Sequence, residues 1–244
     1  HWLVWDGGRW RRCEQGEEIE KAKEAAQAML ADASASLASD PAQGERRVKD
    51  AAAAYRLPRL KAALELAQSE PAMSAKVTDL DSDPHQLGVA NGIVDLKNGT
   101  LIPNRPDLHI TRHCNARFDP IAQCPRWRQF LHEVFAGDQA TIDAVQLLLG
   151  YTLTGLTIEE IMIFCVGFGA NGKSILGNVV HAIMGEYAKT APPSLLAARR
   201  VDDHGPRNDL AMLDAVRLVS INELPGGMML DEQMVKQIAG REPI

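Results

Sequence analysis

The chain has 244 residues, 45% hydrophobic and 24% charged. That is the make-up of an ordinary globular protein with room for one large or two small domains. No apolar run approaches the ~20 residues a membrane span needs, and a net charge of −6 with pI about 5.7 argues against a protein that coats DNA non-specifically. A narrow basic surface, such as a loop lining a ring, stays open, because a few lysines suffice locally.

The start, His1-Trp2-Leu3-Val4-Trp5-Asp6, lacks a basic region followed by an apolar one, so no signal peptide is expected. A chain opening on His rather than Met reads as a piece of something longer. Residues 1–12 alternate around Asp6-Gly7-Gly8, with Trp2, Val4 and Trp10 spaced for a small hairpin. Residues 17–39 place Ile19, Ala22, Ala26, Met29, Leu30, Ala33 and Leu37 near helical spacing. Asp40-Pro41-Ala42-Gln43-Gly44 is expected to break that helix, and a second helical run covers 45–69, kinked at Pro58. Between Glu45 and Lys61 six basic residues face two acidic ones. A solvated helix face is the expected reading, and a nucleic-acid contact is the sharper one.

Between 79 and 106 the turn residues Asp81, Asp83-Pro84, Asn91-Gly92, Asn98-Gly99 and Pro103 separate short apolar runs at 87–90 and 93–96, which predicts strands and hairpins. Helices return at about 126–135 and 139–153, the second N-capped by Asp138 and well buried through Leu147-Leu148-Leu149 and Tyr151. The main domain boundary is expected near Gly155: residues 1–155 form a helical platform with short β-hairpins, and 156–244 begin an α/β domain. Candidate strands at 160–166 and 216–222 suit a parallel sheet.

Cys13, Cys114, Cys124 and Cys165 form no C-x-x-C pair, which fits free thiols in a reducing, cytoplasmic compartment. His109, His113, Cys114 and Cys124 cluster in sequence, but their spacing matches no common zinc pattern. Scattered loop and core residues are the expectation there. Trp2, Trp5, Trp10 and Trp127 are expected to pack structurally rather than stack on bases. The polar loop Asp202-Asp203-His204-Gly205-Pro206-Arg207 is expected to be a mobile surface loop, with contacts from His204 and Arg207 to nucleotide or a neighbouring subunit as the alternative.

Residues 167–174 read Gly167-Phe168-Gly169-Ala170-Asn171-Gly172-Lys173-Ser174, a full G-x-x-x-x-G-K-[ST] phosphate-binding loop. The apolar run Ile161-Met162-Ile163-Phe164-Cys165-Val166 precedes it as an expected strand, and an expected helix over 173–184 follows. The glycines let several backbone N–H groups turn toward a phosphate, and the helix start adds partial positive charge. Lys173 is placed to reach the β- and γ-phosphates of ATP, and the Ser174 hydroxyl to bind Mg²⁺. The candidate nucleotide-binding set is Gly167, Gly169, Ala170, Asn171, Gly172, Lys173, Ser174 and Ile175. Asn171 is assigned to loop geometry rather than chemistry. A second apolar run, Val216-Arg217-Leu218-Val219-Ser220-Ile221, ends in Asn222-Glu223. Glu223 is therefore the candidate to orient the attacking water and help hold Mg²⁺, the catalytic partner of Lys173.

The ordered set of motifs resembles the phage and plasmid primase-helicase family, relatives of the poxvirus primase-helicase, whose motor belongs to helicase superfamily 3. The likeness runs through Trp2 to Gly7 with Arg9-Trp10, then Leu80-Asp81, residues 87–96, and Gly99-Thr100-Leu101. It continues through Cys124-Pro125-Arg126-Trp127, Gly137-Asp138 and residues 149–155 to the glycine loop. Last come Asn208-Asp209-Leu210-Ala211, Arg217-Leu218-Val219, Glu223, and Leu230-Asp231-Glu232 with Lys236. The resemblance implies a truncated AAA+-like P-loop domain and an ATP-dependent replicative DNA helicase acting on single-stranded DNA. It further implies a homo-hexameric ring and an upstream primase as partners, with no membrane. It makes Lys236 a DNA-contact candidate opening the segment that leads to a DNA-contacting hairpin. Where the family usually has Gly-Gly-Asp, this chain has Gly240-Arg241-Glu242. The family's sensor and arginine motifs are expected beyond Ile244, so this polypeptide alone is expected to bind nucleotide but hydrolyse it poorly. Two other readings remain: a non-catalytic module linking a primase to the motor, and a different P-loop ATPase such as a replication initiator.

Overall fold

The computed structural model describes residues 1–37, 40–198, 210 and 212–240. The loop holding His204 and Arg207, the Asn208-Asp209 pair, and Arg241-Glu242 lie outside the described residues. The chain divides into two compact units, His1–Leu80 and Asp81–Ile244.

The first unit opens on the expected hairpin. Strands β1 (Leu3–Trp5) and β2 (Trp10–Arg12) pair antiparallel, with Trp5 opposite Trp10 and their rings 5.7 Å apart. The tryptophans thus pack on each other. Helix α1 (Glu17–Ser36) follows Gly16, and Glu17, Glu18 and Glu20 sit in its first turn, where negative charge suits the helix dipole. Arg11 fixes that start by donating to both Glu17 carboxylate oxygens at 2.7 Å. Helix α1 ends at Ser36, ahead of the stretch 40–44 expected to break it, and that stretch starts the next helix. Asp40 accepts from the Gln43 N–H and Pro41 occupies the first turn of α2 (Pro41–Ala54). The single kinked run expected over 45–69 is instead two helices, α2 and α3 (Leu57–Ala67). Pro58 lies in the first turn of α3, where its missing N–H has no partner to lose, so it starts a helix rather than bending one. Buried Ala26, Ala33, Ala51 and Leu60 form the seam of the three helices.

The second unit holds a three-stranded antiparallel sheet of β3 (Gln86–Val89), β4 (Gly92–Asp95) and β5 (Thr100–Ile102). The side chain of Asn91, in the β3–β4 turn, donates to Phe118 O and accepts from Phe118 N. Next come α4 (Pro125–Val134) and α5 (Gln139–Thr154), the latter capped by Asp138 as expected. Helix α6 (Lys173–Met184) turns through Gly185–Tyr187 into β6 (Ala188–Ala191), which pairs in parallel with β7 (Leu218–Ile221). Helix α7 (Glu232–Ala239) starts on Asp231, which accepts from the Met234 N–H.

One core joins these parts. Leu87, Val89 and Val94 of the sheet meet Cys114, Val180, Met184, Tyr187 and Ala188, with Leu149, Leu153 and Leu218 packed alongside. The position expected as a boundary, Gly155, lies within this unit. It takes φ 66 as the C-cap that ends α5.

Two expectations on this unit are corrected. Residues 160–166 form no strand. The parallel partner of β7 is β6, a short stretch of small and polar residues that its sequence hides. A strand exists only where neighbouring backbone satisfies its N–H and C=O groups, and among the described strands none lies against 160–166. Leu147, expected to be buried, is 75% exposed, whereas Ile142 is the buried residue of α5.

The four cysteines are free, and no described helix is long and apolar enough to cross a membrane. Cys114 is buried, and desolvation pushes its thiol up to about 11, while Cys124 and Cys165 are exposed. The thiolate is the reactive form. At pH 8, iodoacetamide is expected to label Cys124 and Cys165 and to spare Cys114 until denaturant is added, as read by mass spectrometry. The folded thiol keeps its proton above the unfolded value, so this stability contribution is complete below about pH 9 and disappears as pH rises through 11.

Candidate nucleotide-binding site

The glycine loop leads directly into α6. Its residues 167–170 are exposed, Phe168 at 96%, and α6 begins at Lys173. Gly172 is the N-cap at φ 84, a conformation that costs an L side chain about 1–2 kcal/mol. It also lies so close to α4 that a Cβ would meet Val134 Cγ2 at 2.5 Å. Leu176, one turn on, packs with Phe130, Leu131 and Ile142, so the loop exit is pinned to the α4–α5 core. Trp127 stacks on Phe130 in that cluster at 5.5 Å, consistent with a packing role. Gly172→Ala is therefore expected to lower the melting temperature and weaken nucleotide binding together, checked by thermal unfolding and by titration on one preparation.

The Lys173 ammonium sits inside the loop. It donates to Gly167 O at 2.9 Å, Phe168 O at 3.4 Å and Asn171 Oδ1 at 2.7 Å. These are neutral acceptors. An anion entering the loop would offer charge-assisted bonds of about twice the strength. The first intrahelical bond here is Leu176 N to Gly172 O, so the N–H groups of Lys173, Ser174 and Ile175 precede the helical ladder at its positive end. Ser174 and Ile175 are exposed beside them.

The acid after β7 is positioned by topology. Because α6 turns through one short 3₁₀ turn into β6, and β7 is parallel to β6, α6 runs opposite to both strands. His181 of α6 bonds Ser220 of β7 across that layer at 2.8 Å. From there, about 10 Å back along the helix reaches Ser174, and about 10 Å onward along the chain reaches Glu223. Ser174 thus lies about two turns before His181 on α6, and Glu223 three residues after Ser220 on the chain leaving β7. Glu223 is exposed at φ 52, just past the strand. Lys236 sits exposed in the last turn of α7. Among the described residues no three His, Cys, Asp or Glu side chains are gathered to hold a metal ion, and Cys114 is buried while Cys124 is exposed.

A family model described as "D5 N terminal like" matches residues 1–136, more than half of the chain. The chain belongs to the D5 N terminal like family. The D5 N terminal like domain is found in primase-helicase proteins, and the relatives agree with that. The African swine fever virus protein named "Putative primase C962R" (isolate Tick/Malawi) is 26% identical over 138 residues, covering 54% of this chain and 14% of that protein. The Acanthamoeba polyphaga mimivirus protein named "Putative helicase L207/L206" is 25% identical over 170 residues, covering 68% of this chain and 18% of that protein. The chain thus spans less than a fifth of these relatives' length. It is a member of the D5 N terminal like family, similar to viral proteins named putative primase and putative helicase.

Sequence reasoning missed β6, Tyr187 and the role of Arg217. Tyr187 is fully buried; its hydroxyl accepts from Gly88 N at 3.1 Å and donates to Arg112 O at 2.9 Å. Arg217 had a legible sign: a charged residue at the head of an apolar strand must find buried partners.

Proposed function

We propose that this chain is the Mg-ATP-binding part of a replicative primase-helicase, serving translocation on single-stranded DNA. The observation that supports this best is the Lys173 ammonium held inside a G-x-x-x-x-G-K-S loop that opens a helix. The fit to a Mg-nucleotide rests on the donor set. In this reading an ammonium, the N–H groups that start α6, the exposed hydroxyl of Ser174 and the carboxylate of Glu223 form the donor set.

In this reading Lys173 leaves the carbonyls of Gly167 and Phe168 for the β- and γ-phosphate oxygens. The N–H groups of Lys173, Ser174 and Ile175 receive the phosphates, and Ser174 with Glu223 would hold Mg²⁺. When bound there, the cation would supply charge neutralisation on the phosphates. Glu223 orients the attacking water. A homo-hexamer, a primase partner and DNA contact by Lys236 belong to this proposal, as does the truncated P-loop α/β fold.

The match to residues 1–136 ends before the loop, which favours a second role for that part: linking a primase to the motor. Equilibrium titration with a fluorescent ATP analogue, with and without Mg²⁺, tests the main reading. Saturable binding displaced by ATP is expected. No binding in either condition would leave only the linking role.

A further inference from the structure

Arg217 stands at the head of β7 and reaches out of its own layer. Its Nη1 donates to Pro84 O at 3.3 Å and to Leu153 O, and its Nη2 donates to Gln86 O at 2.6 Å. The guanidinium lies over the Tyr187 ring, 4.5 Å from its centroid. The acceptors come from the approach to β3, from β3 itself and from the last turn of α5. All are neutral carbonyls, and the carboxylates of Asp81 and Asp83 act on this arginine only through space. Burial pulls its pKa down, the direction expected for a desolvated cation. The half-buried cation is held by main-chain carbonyls and the Tyr187 ring, which ties it to backbone positions rather than to mobile side chains.

The surroundings are shaped for it. Gly155 takes φ 66 against the arginine, and a Cβ there would fall 2.8 Å from Arg217 Cγ. A small cavity of about 110 Å³ beside the guanidinium is lined by Asp81, Thr154, Tyr187 and Val216, among others. A second arginine crosses in the opposite direction. Arg112, from the segment after β5, donates to Glu186 O at 3.1 Å and Asp214 O at 2.8 Å, just before β6 and β7. The N-terminal ends of both parallel strands are thus fastened to the β3–β5 sheet and α5. Their C-terminal ends, beyond which Glu223 lies, carry no such clamp among the described hydrogen bonds.

We infer that Arg217 is a positioning residue that couples the nucleotide loop to the β3–β5 sheet and the end of α5, transmitting the state of the loop through β7. The inference rests on the nucleotide-binding reading above. A shift of β7 when Glu223 engages a ligand must move the carbonyls of Pro84, Gln86 and Leu153, because the planar fork spans them all.

Hydrogen exchange on the full 244-residue chain, with and without Mg-ATP, tests it. In the unsubstituted protein Mg-ATP is expected to slow exchange not only at 167–176 but also at 84–90 and 148–156, by about twofold or more. Arg217→Met should bind Mg-ATP within about threefold of the unsubstituted affinity yet lose the protection at the two distal segments. A merely structural arginine would leave that nucleotide-dependent difference in place. Should Arg217→Met fail to fold, Arg217→Lys decides, since one ammonium cannot span Pro84, Gln86 and Leu153 together and should lose protection in at least one distal segment. Distal protection kept in a folded variant, or absent from an unsubstituted protein that binds Mg-ATP, overturns the coupling alone. No nucleotide binding by the unsubstituted protein overturns the nucleotide reading and this inference with it.

Discussion

Lys173→Ala is expected to lower the affinity for Mg-ATP by about a hundredfold, because a hydrogen bond from a charged group contributes about 1.5–3 kcal/mol and each 1.4 kcal/mol is a tenfold change. The substitution removes the one ammonium that the loop encloses, along with its bonds to Gly167 O, Phe168 O and Asn171 Oδ1. Those acceptors are exposed or at the loop surface, so water can replace the lysine and the fold should be little disturbed. The melting temperature is therefore the internal control. Unchanged melting with lost binding locates the effect at the site, whereas unchanged affinity would remove Lys173 from any role on phosphate. Asn171→Ala gives a graded comparison: it deletes the 2.7 Å tether that holds the ammonium in the loop and should weaken binding by less. Association with a primase, if residues 1–136 provide it, should not respond to either change.

Tyr187→Ala is expected to cost about 3–5 kcal/mol, the range for deleting a buried ring, which is a large share of the 5–15 kcal/mol that folds a typical domain. Tyr187 is fully buried in the core shared by the β3–β5 sheet, α6 and β6. The loss removes ring packing, the platform under the Arg217 guanidinium, and both hydroxyl bonds. Tyr187→Phe separates these contributions. It keeps the ring but strands the Gly88 N–H and the Arg112 carbonyl, at about 1–3 kcal/mol. Urea unfolding should show the midpoint falling in the order native, Phe, Ala with an unchanged slope. Burial also pushes the Tyr187 phenol up to about 12. The proton is held more tightly in the folded state, so the contribution is complete below about pH 10 and is lost as pH rises through 12. The Phe variant should lack that part of the alkaline loss, and an identical pH profile in both proteins would contradict it.

Several elements were legible because their causes are local. The loop and helix α6 follow from glycines, a lysine and an apolar periodicity inside twenty residues. Asp138 announces α5 because an N-cap is a contact between near neighbours. The two hairpins follow from turn residues between alternating runs. Where competing local rules met, the weaker one was misjudged. Asp40-Pro41 reads equally as an ending and as a beginning, and Pro58 reads as a kink when it occupies a first turn.

What depends on distant partners could not be read from the chain. The apolar stretch 160–166 has every compositional mark of a strand, but a strand is a property of two backbones. Parallel pairing went to Ala188–Ala191, whose sequence carries little sign of it. By itself the sequence determined a phosphate-type loop at the head of a helix, an acid after a later apolar run, and the family motifs. Only the tertiary structure decided which strand pairs with β7, and that Arg217 and Arg112 cross between the two sheets. The reason is physical: loops and caps are fixed by neighbours in sequence, while ladders, cores and inter-sheet arginine contacts are fixed by whichever distant groups can satisfy them.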